Sequence, residues 1–236
     1  MDKKSSSVVK QAFLTSLPVM AGYIILGMGF GILLRDAGYG VLWALLMSTF
    51  IYAGAMQFVG VGLIESGASL LMTAFTTFMV NARHLFYSIS MIGRYRKAGK
   101  FKPYMIFALT DETYTLLVED ERGEDEAYGD IYRFLVSLFD HCYWITGSVL
   151  GSLIGNILPF STEGIEFSMT ALFIASFTEQ WVSGKDRLSA SVGIMCSALC
   201  LLIFGAGNFL IPDMILITAI LTLMRGKFPE GKEADR

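Results

Sequence analysis

The stretch that decides the fold is residues 12–34, which read AFLTSLPVMAGYIILGMGFGILL. It carries no charged residue, and a membrane-spanning helix needs about 20 consecutive apolar residues. Seven further apolar runs follow along the chain, at 39–64, 69–92, 103–118, 135–158, 167–183, 188–205 and 208–224. None of them alternates polar and apolar residues as a transmembrane β-strand does. The sequence therefore predicts an all-α, polytopic membrane protein with seven or eight apolar segments.

The overall composition agrees with this prediction. Of 236 residues, 54% are hydrophobic and only 17% are charged, whereas soluble domains carry about 25% charged residues. This excludes a soluble enzyme and a disordered chain. The formal net charge of −3 also provides no basic field that would attract a nucleic acid. We expect one integral membrane domain over residues 1–236, with a polar N-terminal segment at 1–11 and a polar tail at 226–236.

The basic residues predict the orientation, because short cytoplasmic loops are enriched in Lys and Arg. They cluster near the N-terminus, at 94–102, at 185–187 and in the C-terminal tail, while the loop at 119–130 is strongly acidic. We expect the N-terminus to be cytoplasmic. However, three apolar segments separate the first basic cluster from the second, and three more separate the second from the third. The clusters therefore cannot all lie on one side if every segment crosses.

Two explanations fit this mismatch. One segment in each half can be broken or re-entrant, and the candidates are 39–64, which is rich in glycine, and 103–118, which is short and charged. Alternatively, all segments cross and the halves are three-helix units of opposite orientation, an inverted repeat that would place 94–102 outside. Discontinuous helices and inverted repeats are both features of secondary transporters.

Polar residues at membrane depth are the candidate functional positions, because each is costly to insert. Asn81, Arg83 and His84 lie together in the middle of an otherwise apolar run, which indicates a break in the helix. Arg83 can hold a carboxylate by two parallel hydrogen bonds. Three interpretations stay open: Arg83 binds a substrate or takes part in gating, it pairs permanently with Asp111 or Glu112, or it extends to the membrane interface.

Asp111 and Glu112 form the second candidate group. Adjacent acids point about 100° apart on a helix, so one can pair with Arg83 while the other faces a cavity. A low-dielectric setting favours the protonated form of a carboxyl group, which is what a proton-coupled carrier requires. The alternative is that these residues mark a helix end at the water interface, because the acidic loop follows closely.

Other polar positions admit more than one interpretation. Gln57 lies among small residues, where it can bind a polar ligand or make an interhelical hydrogen bond. Asp140 and His141 precede an aromatic pair at the start of the fifth segment, and Glu179 precedes Trp181 at the end of the sixth. Aromatic residues at segment ends are typical of the membrane interface, so we expect these positions to be interfacial.

The glycines show a packing pattern, whereas the cysteines show no pattern of a binding site. Gly147, Gly151 and Gly155 recur every four residues, which predicts a stripe for close helix packing. The three cysteines lie in apolar runs and show no disulfide or metal pattern. No phosphate-binding loop, paired-histidine zinc motif or serine-nucleophile elbow is present in the sequence. We therefore predict no enzyme, no catalytic residues, no cofactor and no metal site.

Six motifs in order carry a resemblance to a known family. They are GMGFG at 27–31, STFIYAGAMQF at 48–58, NARH at 81–84, LTDE at 109–112, YW at 143–144 with its glycine stripe, and ALFI at 171–174 with EQ at 179–180. Together they resemble the AzlC-like branched-chain amino-acid permeases, over about residues 12–225. One difference is Ala82, where the family often has leucine between the Asn and the Arg.

The resemblance implies a gradient-driven exporter of valine, leucine, isoleucine, methionine or similar neutral amino acids in the bacterial cytoplasmic membrane. It also implies a small AzlD-like membrane subunit as partner. The predicted transport path comprises Gln57, Asn81, Arg83, His84, Asp111 and Glu112. We expect the substrate's aliphatic part to fit among Met and Phe side chains. A carrier or channel for another small solute, or a non-transporting scaffold subunit, is the alternative.

Overall fold

The computed structural model describes residues 3–96, 98–118, 126–155, 187–205 and 209–224, with single positions between 164 and 182. Outside the described residues lie positions 119–125 of the predicted acidic loop at 119–130, the sixth apolar segment apart from single positions, and the tail at 226–236. Contacts divide the chain into two compact units, Met1–Met169 and Thr170–Arg236.

The described part of the chain is helical throughout. Unit 1 contains eight described α-helices: α1 Lys3–Asp36, α2 Val41–Phe50, α3 Gly54–Glu65, α4 Leu70–Asn81, α5 Arg83–Tyr95, α6 Lys102–Phe107, α7 Asp111–Val118 and α8 Glu126–Ile154. A 3₁₀ turn at Gly99–Phe101 precedes α6. Unit 2 contains α9 Arg187–Phe204 and α10 Leu210–Met224.

The helices have the length and exposure expected of membrane segments. Ser7–Asp36 and Arg187–Phe204 are long and apolar enough to span a bilayer. Large apolar side chains face outward, for example Leu70 at 90% exposure and Leu202 at 85%. A soluble protein rarely exposes such apolar surface, whereas lipid accommodates it. These features confirm the predicted polytopic helical class.

Helices α1 and α8 are the central pair of unit 1, and they run parallel. The ring of Phe13 contacts that of Phe139, and further along both helices Tyr23 contacts Trp144. The glycine stripe lies in this interface: a Cβ on Gly147 would come within 2.6 Å of the Ile24 carbonyl oxygen, too close for any real side chain. The predicted role of the stripe in close helix packing is confirmed. We call the end where α1 begins the near end, and the end at residues 35–40 the far end.

Residues 39–65 form a hairpin that enters from the far end and returns to it. Gly40, just before α2, lies beside the Arg35 side chain at the far end. Eight residues later, the Ser48 carbonyl oxygen lies 3.0 Å from Nε2 of His141, in the middle of α8. Helix α3 then runs back towards the far end, as the contact between the rings of Phe58 and Phe30 shows. The turn between the two helices includes Tyr52 at φ 42°.

Residues 99–118 form a second hairpin that enters from the opposite, near end. The ring of Phe101 packs against that of Phe134, and Tyr104 Oη then reaches Nδ1 of His141 at 2.9 Å. After the turn at 108–110, α7 returns to the near end, where Leu117 packs in the same core cluster as Val136. The two hairpins are therefore inverted relative to each other. The turn of each hairpin lies near the middle of α8.

Between the hairpins, α4 and α5 form one broken crossing from the far end to the near end. Helix α4 ends at Asn81 and α5 begins at Arg83, which confirms the predicted break. At the near end, Met91 and Tyr95 pack with Ala12 of α1. Thus only α1 and the α4–α5 pair cross between the N-terminal basic cluster and residues 94–102.

This arrangement accounts for the mismatch between the first two basic clusters, whereas the second mismatch also involves the segment at 167–183, which lies outside the described residues apart from single positions. Both candidate segments, 39–64 and 103–118, fold as hairpins that return to the end from which they enter, as the first explanation predicts. The alternative in which every segment crosses is wrong for residues 39–118. Residues 94–96 and 98–102 lie at the same end as the start of α1, in agreement with the distribution of Lys and Arg.

Cysteine labelling tests this topology in a background without the native cysteines. We expect Ala37→Cys and Ser66→Cys to react with an impermeant thiol reagent from one side of the membrane, and Lys100→Cys from the other. The reason is that the first hairpin returns to the far end, whereas the α4–α5 pair crosses to the near end. Shared reactivity of positions 37 and 100, with position 66 opposite, would contradict the hairpin arrangement.

In unit 2, helices α9 and α10 pack against each other. Ser197 on α9 donates a 2.6 Å hydrogen bond to Oδ2 of Asp213 on α10. Asp213 is buried in the first turn of its helix, one residue after Pro212. Proline is tolerated in the first helical turn because that turn needs no internal N–H donors, so Pro212 is compatible with the start of α10.

Candidate functional site

A polar cavity lies where the two hairpin turns and the break between α4 and α5 meet. Its volume is about 420 Å³ including the open mouth. The lining comes from α1, the turn of each hairpin, the helix break and α8: Tyr23, Leu26, Tyr52, Ala53, Gly54, Ala55, Asn81, Arg83, His84, Thr110, Asp111, Glu112 and Trp144. Five of the six predicted transport-path residues line it, Asn81, Arg83, His84, Asp111 and Glu112.

Arg83 and Asp111 form the charged centre of the cavity. Nη1 of Arg83 lies 3.0 Å from Oδ2 of Asp111, and both side chains keep about a fifth to a quarter of their surface exposed. The pairing alternative for Arg83 is therefore what this structure shows, and the interfacial alternative is wrong because the pair lies midway along α8. Partial exposure to the cavity leaves both groups within reach of a ligand.

Glu112 uses a different partner from its neighbour, as the helical angle between them predicts. Its Oε2 accepts a 2.7 Å hydrogen bond from Oη of Tyr23 on α1. Both acids lie in the first turn of α7, where the positive end of the helix dipole favours negative charge. Because Tyr23 lies in the middle of α1, these acids are not at the water interface, and that alternative is wrong.

His84 and Asn81 line the cavity at the break between α4 and α5. Nδ1 of His84 lies 3.1 Å from the carbonyl oxygen of Asn81, within the same turn. The ring of His84 also contacts the ring of Tyr87 edge-on, with centroids 5.8 Å apart. Its other ring nitrogen is not engaged in these contacts, and the residue lies on the cavity lining.

Gln57 is the predicted residue that does not line the cavity. It is 1% exposed, and its Oε1 accepts a 2.9 Å hydrogen bond from Nε1 of Trp144. Its Nε2 donates to Oγ of Ser48 at 3.3 Å. The amide thus holds the first hairpin together and orients the indole that forms one cavity wall. The hydrogen-bond alternative for Gln57 is confirmed.

A stability measurement tests this bracing role. We expect Gln57→Leu to lower the free energy of unfolding by about 1–3 kcal/mol, because the buried indole N–H of Trp144 loses its acceptor. In the double variant Gln57→Leu, Trp144→Phe, part of that loss should return, since no donor is left unsatisfied. Thermal melts of the purified variants in detergent measure the coupling, and strictly additive effects would contradict it.

Asp140, His141 and Trp144 do not lie at the membrane interface, where the sequence predicted them. Their segment begins at residue 126, so they lie in the middle of α8 and not at a membrane interface. Asp140 is fully buried, and its Oδ2 accepts a 2.8 Å hydrogen bond from Thr113. His141 connects both hairpins through the Ser48 carbonyl and Tyr104. Their spacing along α8 is the sequence signal that could have placed them on one face.

Tyr23 and Tyr52 are two further site residues that sequence reasoning missed. Tyr23 bonds both Glu112 and Thr110, and Tyr52 stacks on His141 with ring centroids 4.1 Å apart. Each is a tyrosine in an apolar run, a pattern that single-sequence reasoning interprets as packing. Only the contacts between distant segments reveal their place at the cavity.

A cavity with charged walls between two opposed hairpins and a broken helix is typical of membrane transport proteins. The sequence model of the family described as "AzlC protein" matches residues 18–158. The chain is 38% identical to the branched-chain amino acid transport protein AzlC of Bacillus subtilis, covering 95% of this chain and 89% of that one. The chain belongs to the AzlC family.

Further relatives are membrane proteins. An uncharacterized membrane protein of Helicobacter pylori strain J99 is 41% identical, with 92% of this chain and 94% of the relative covered. The inner membrane protein YgaZ of Escherichia coli is 28% identical, with 92% and 89% covered. No solved structure matches the chain.

Proposed function

We propose that this protein is a gradient-driven transporter subunit that exports branched-chain or similar neutral amino acids across the bacterial cytoplasmic membrane. Its substrates are valine, leucine, isoleucine and methionine. The observation that carries the proposal is the Arg83–Asp111 pair in a cavity midway through unit 1. The relation to the Bacillus subtilis protein, which is named for branched-chain amino-acid transport, supports the substrate class.

The charges of the cavity match those of an amino-acid zwitterion. The guanidinium group of Arg83 can bind the substrate carboxylate through two parallel hydrogen bonds, in place of Asp111. The carboxylates of Asp111 and Glu112 are then available to the substrate ammonium group. Opposite charges are needed together because an unpaired charge at this depth costs several kcal/mol. A ligand that supplies both charges leaves none of these groups uncompensated.

The walls around the charged centre suit an aliphatic side chain. Leu26, Tyr52 and Trp144 contribute apolar surface to the lining. The described lining of this cavity contains no Met or Phe side chain, so Leu26, Tyr52 and Trp144 take the place we expected for them. The indole of Trp144 is held in place by Gln57, so this wall is rigid and can select for side-chain size.

The topology supports a cytoplasmic N-terminus. Residues 94–96 and 98–102 lie at the near end with the start of α1, which brings two basic clusters to one side. Basic clusters mark the cytoplasmic side. The substrate would then leave the cell from the near end towards the far end.

A small AzlD-like membrane protein is the proposed partner, on the grounds of family membership. Co-expression of this chain with such a protein should yield a complex that stays together through affinity purification and size exclusion in detergent. The chain expressed alone is the comparison. Elution of the two proteins as separate species would contradict the partnership.

An efflux assay tests the transport function. Cells without their own branched-chain exporters are loaded with leucine by hydrolysis of a leucine dipeptide, and the amino acid released to the medium is measured over time. We expect expression of this protein to accelerate leucine release but not lysine release, since the wall proposed to hold the side chain presents the apolar surface of Leu26, Tyr52 and Trp144. Equal leucine release with and without the protein would contradict the proposal.

A further inference from the structure

A chain of hydrogen bonds runs from the cavity to a buried carboxyl group on α8. Oε2 of Glu112 bonds Oη of Tyr23 at 2.7 Å, and this hydroxyl lies 2.6 Å from Oγ1 of Thr110. Oγ1 of Thr110 bonds Oγ1 of Thr113 at 3.1 Å, and the latter bonds Oδ2 of Asp140 at 2.8 Å. We call these five residues the carboxyl relay.

Counting protons shows that the relay holds one more proton than its hydroxyl groups supply. Four hydrogen bonds connect the five oxygen atoms, and each bond needs one proton. The hydroxyls of one tyrosine and two threonines supply three. The fourth must reside on Glu112 or Asp140. If both acids were ionised, two neighbouring oxygen atoms of the relay would have no proton between them. At the observed distances these two oxygens would repel each other.

The surroundings of Asp140 favour an uncharged acid. The side chain is fully buried, and its Oδ1 has no hydrogen-bond partner among the described residues. A buried ionised carboxylate without a cation is costly. Ten residues earlier on the same helix, Asp130 shows the contrasting solution, with Oδ1 at 3.1 Å from Nη1 of Arg133.

The titratable groups that face the relay come from every neighbouring element. Arg83 and Asp111 act on Glu112 from the cavity side. Near Asp140 lie Tyr52 of the first hairpin and Tyr104 of the second hairpin. The neighbouring residue on α8 is His141. The guanidinium of Arg83 is the cation in this group, and it is paired with Asp111. The cavity end of the relay is therefore the end that a bound ligand's charge can influence.

We propose that the carboxyl relay is the proton-binding site of this transporter and that it moves one proton between Glu112 and Asp140. In the transfer, Glu112 gives its proton to Tyr23 and each hydroxyl passes its own proton onward, so that Thr113 delivers one to Asp140. Glu112 loses one proton and Asp140 gains one. Each hydroxyl group gives up one proton and receives another, so it remains neutral. The transfer reverses every hydrogen bond in the relay.

Coupling to the substrate follows from the position of Glu112 on the cavity wall, and this step rests on the proposed function. An ammonium group beside Glu112 stabilises its ionised form, which drives the proton to Asp140. When the substrate leaves, Glu112 regains the proton from Asp140 through the relay and can exchange it with the cavity before the next substrate binds. Substrate and proton therefore alternate at the same carboxyl group, which is the basis of coupled transport.

Infrared spectroscopy of the purified protein tests the relay without any transport. We expect a carbonyl band of a protonated carboxylic acid at neutral pH, with a component that is lost in Asp140→Asn and in Glu112→Gln. Each amide imitates the protonated acid and leaves the other acid ionised. Asp130→Asn is the matched control on the same helix and should leave the band unchanged. Absence of that component, or its persistence in both relay variants, would overturn the proposal.

Transport in liposomes tests the coupling. In Thr113→Val, which removes one hydroxyl of the relay, we expect flux driven by a pH gradient to be lost while leucine–leucine exchange is retained. Thr113→Ser should restore the gradient-driven flux, and Thr115→Val, an exposed position on the same helix, should leave both fluxes unchanged. Gradient-driven flux in Thr113→Val equal to that of the unaltered protein would overturn the relay.

These experiments separate the relay from the proposed function. If the unaltered protein exchanges leucine but ignores a pH gradient, the coupling proposal is wrong and the amino-acid transport proposal stands. If it exchanges none of the proposed amino acids, the transport proposal is wrong, and the infrared band still decides whether the relay holds a proton.

Discussion

Replacing Arg83 by alanine should reduce leucine export by about 10- to 150-fold, since a hydrogen bond to a charged group is worth about 1.5–3 kcal/mol. The variant removes the guanidinium group that the substrate carboxylate would bind, and it leaves Asp111 in the cavity without its 3.0 Å partner. Initial efflux rates from leucine-loaded cells, normalised to the amount of protein in the membrane, measure the effect.

Two control variants separate binding from simple positive charge. Arg83→Lys keeps the charge but cannot form two parallel hydrogen bonds with a carboxylate, so an intermediate loss is expected. Arg96→Ala removes an exposed arginine one residue beyond the end of the same helix and should leave export unchanged. Normal export by Arg83→Ala at normal protein levels would contradict the role of Arg83.

The second large effect concerns folding. Gly151→Ala should destabilise the protein by about 3 kcal/mol or more, at the upper end of overpacking effects. A Cβ on Gly151 would collide with the backbone of Met28, and it would lie 2.5 Å from that residue's Cα. Because backbone atoms of a packed helix cannot rotate away as a side chain can, α1 and α8 would have to separate.

Size-exclusion profiles and thermal melts in detergent measure this change. Gly60→Ala is the matched control, because a Cβ at Gly60 would meet no atom within 4 Å. Alanine in the interior of a helix is favoured over glycine by about 0.5–1 kcal/mol, so the control should be unchanged or slightly more stable. Equal melting temperatures for the two variants would show that the α1–α8 contact is not as close as described.

Much of the local structure could be predicted from the sequence, because it depends on residues close together in the chain. The break at Asn81–Arg83 follows from polar side chains that interrupt an apolar run. The stripe of Gly147, Gly151 and Gly155 follows from a four-residue repeat on one face. The opposite roles of Asp111 and Glu112 follow from the helical angle between neighbours.

The remaining parts of the site could not be predicted, because they depend on partners far apart in the sequence. Tyr23 and Glu112 bond across 89 positions, and Gln57 and Trp144 across 87. Asp140 was misplaced because its segment was taken to begin at residue 135, whereas α8 begins at Glu126. A few charged residues in the first turns of a long helix lower its local hydropathy and so hide its true start.

The sequence by itself determined that the chain is a helical membrane protein, where most of its apolar segments lie, and that Arg83, Asp111 and Glu112 lie within them. These properties follow from local hydropathy, since each polar group in lipid has its own cost. Only the tertiary structure decided that residues 39–65 and 99–118 are hairpins from opposite ends, that Gln57 supports the wall, and that Asp140 belongs to the relay. Crossing and returning segments have similar apolar composition, so only their contacts with α1 and α8 distinguish them.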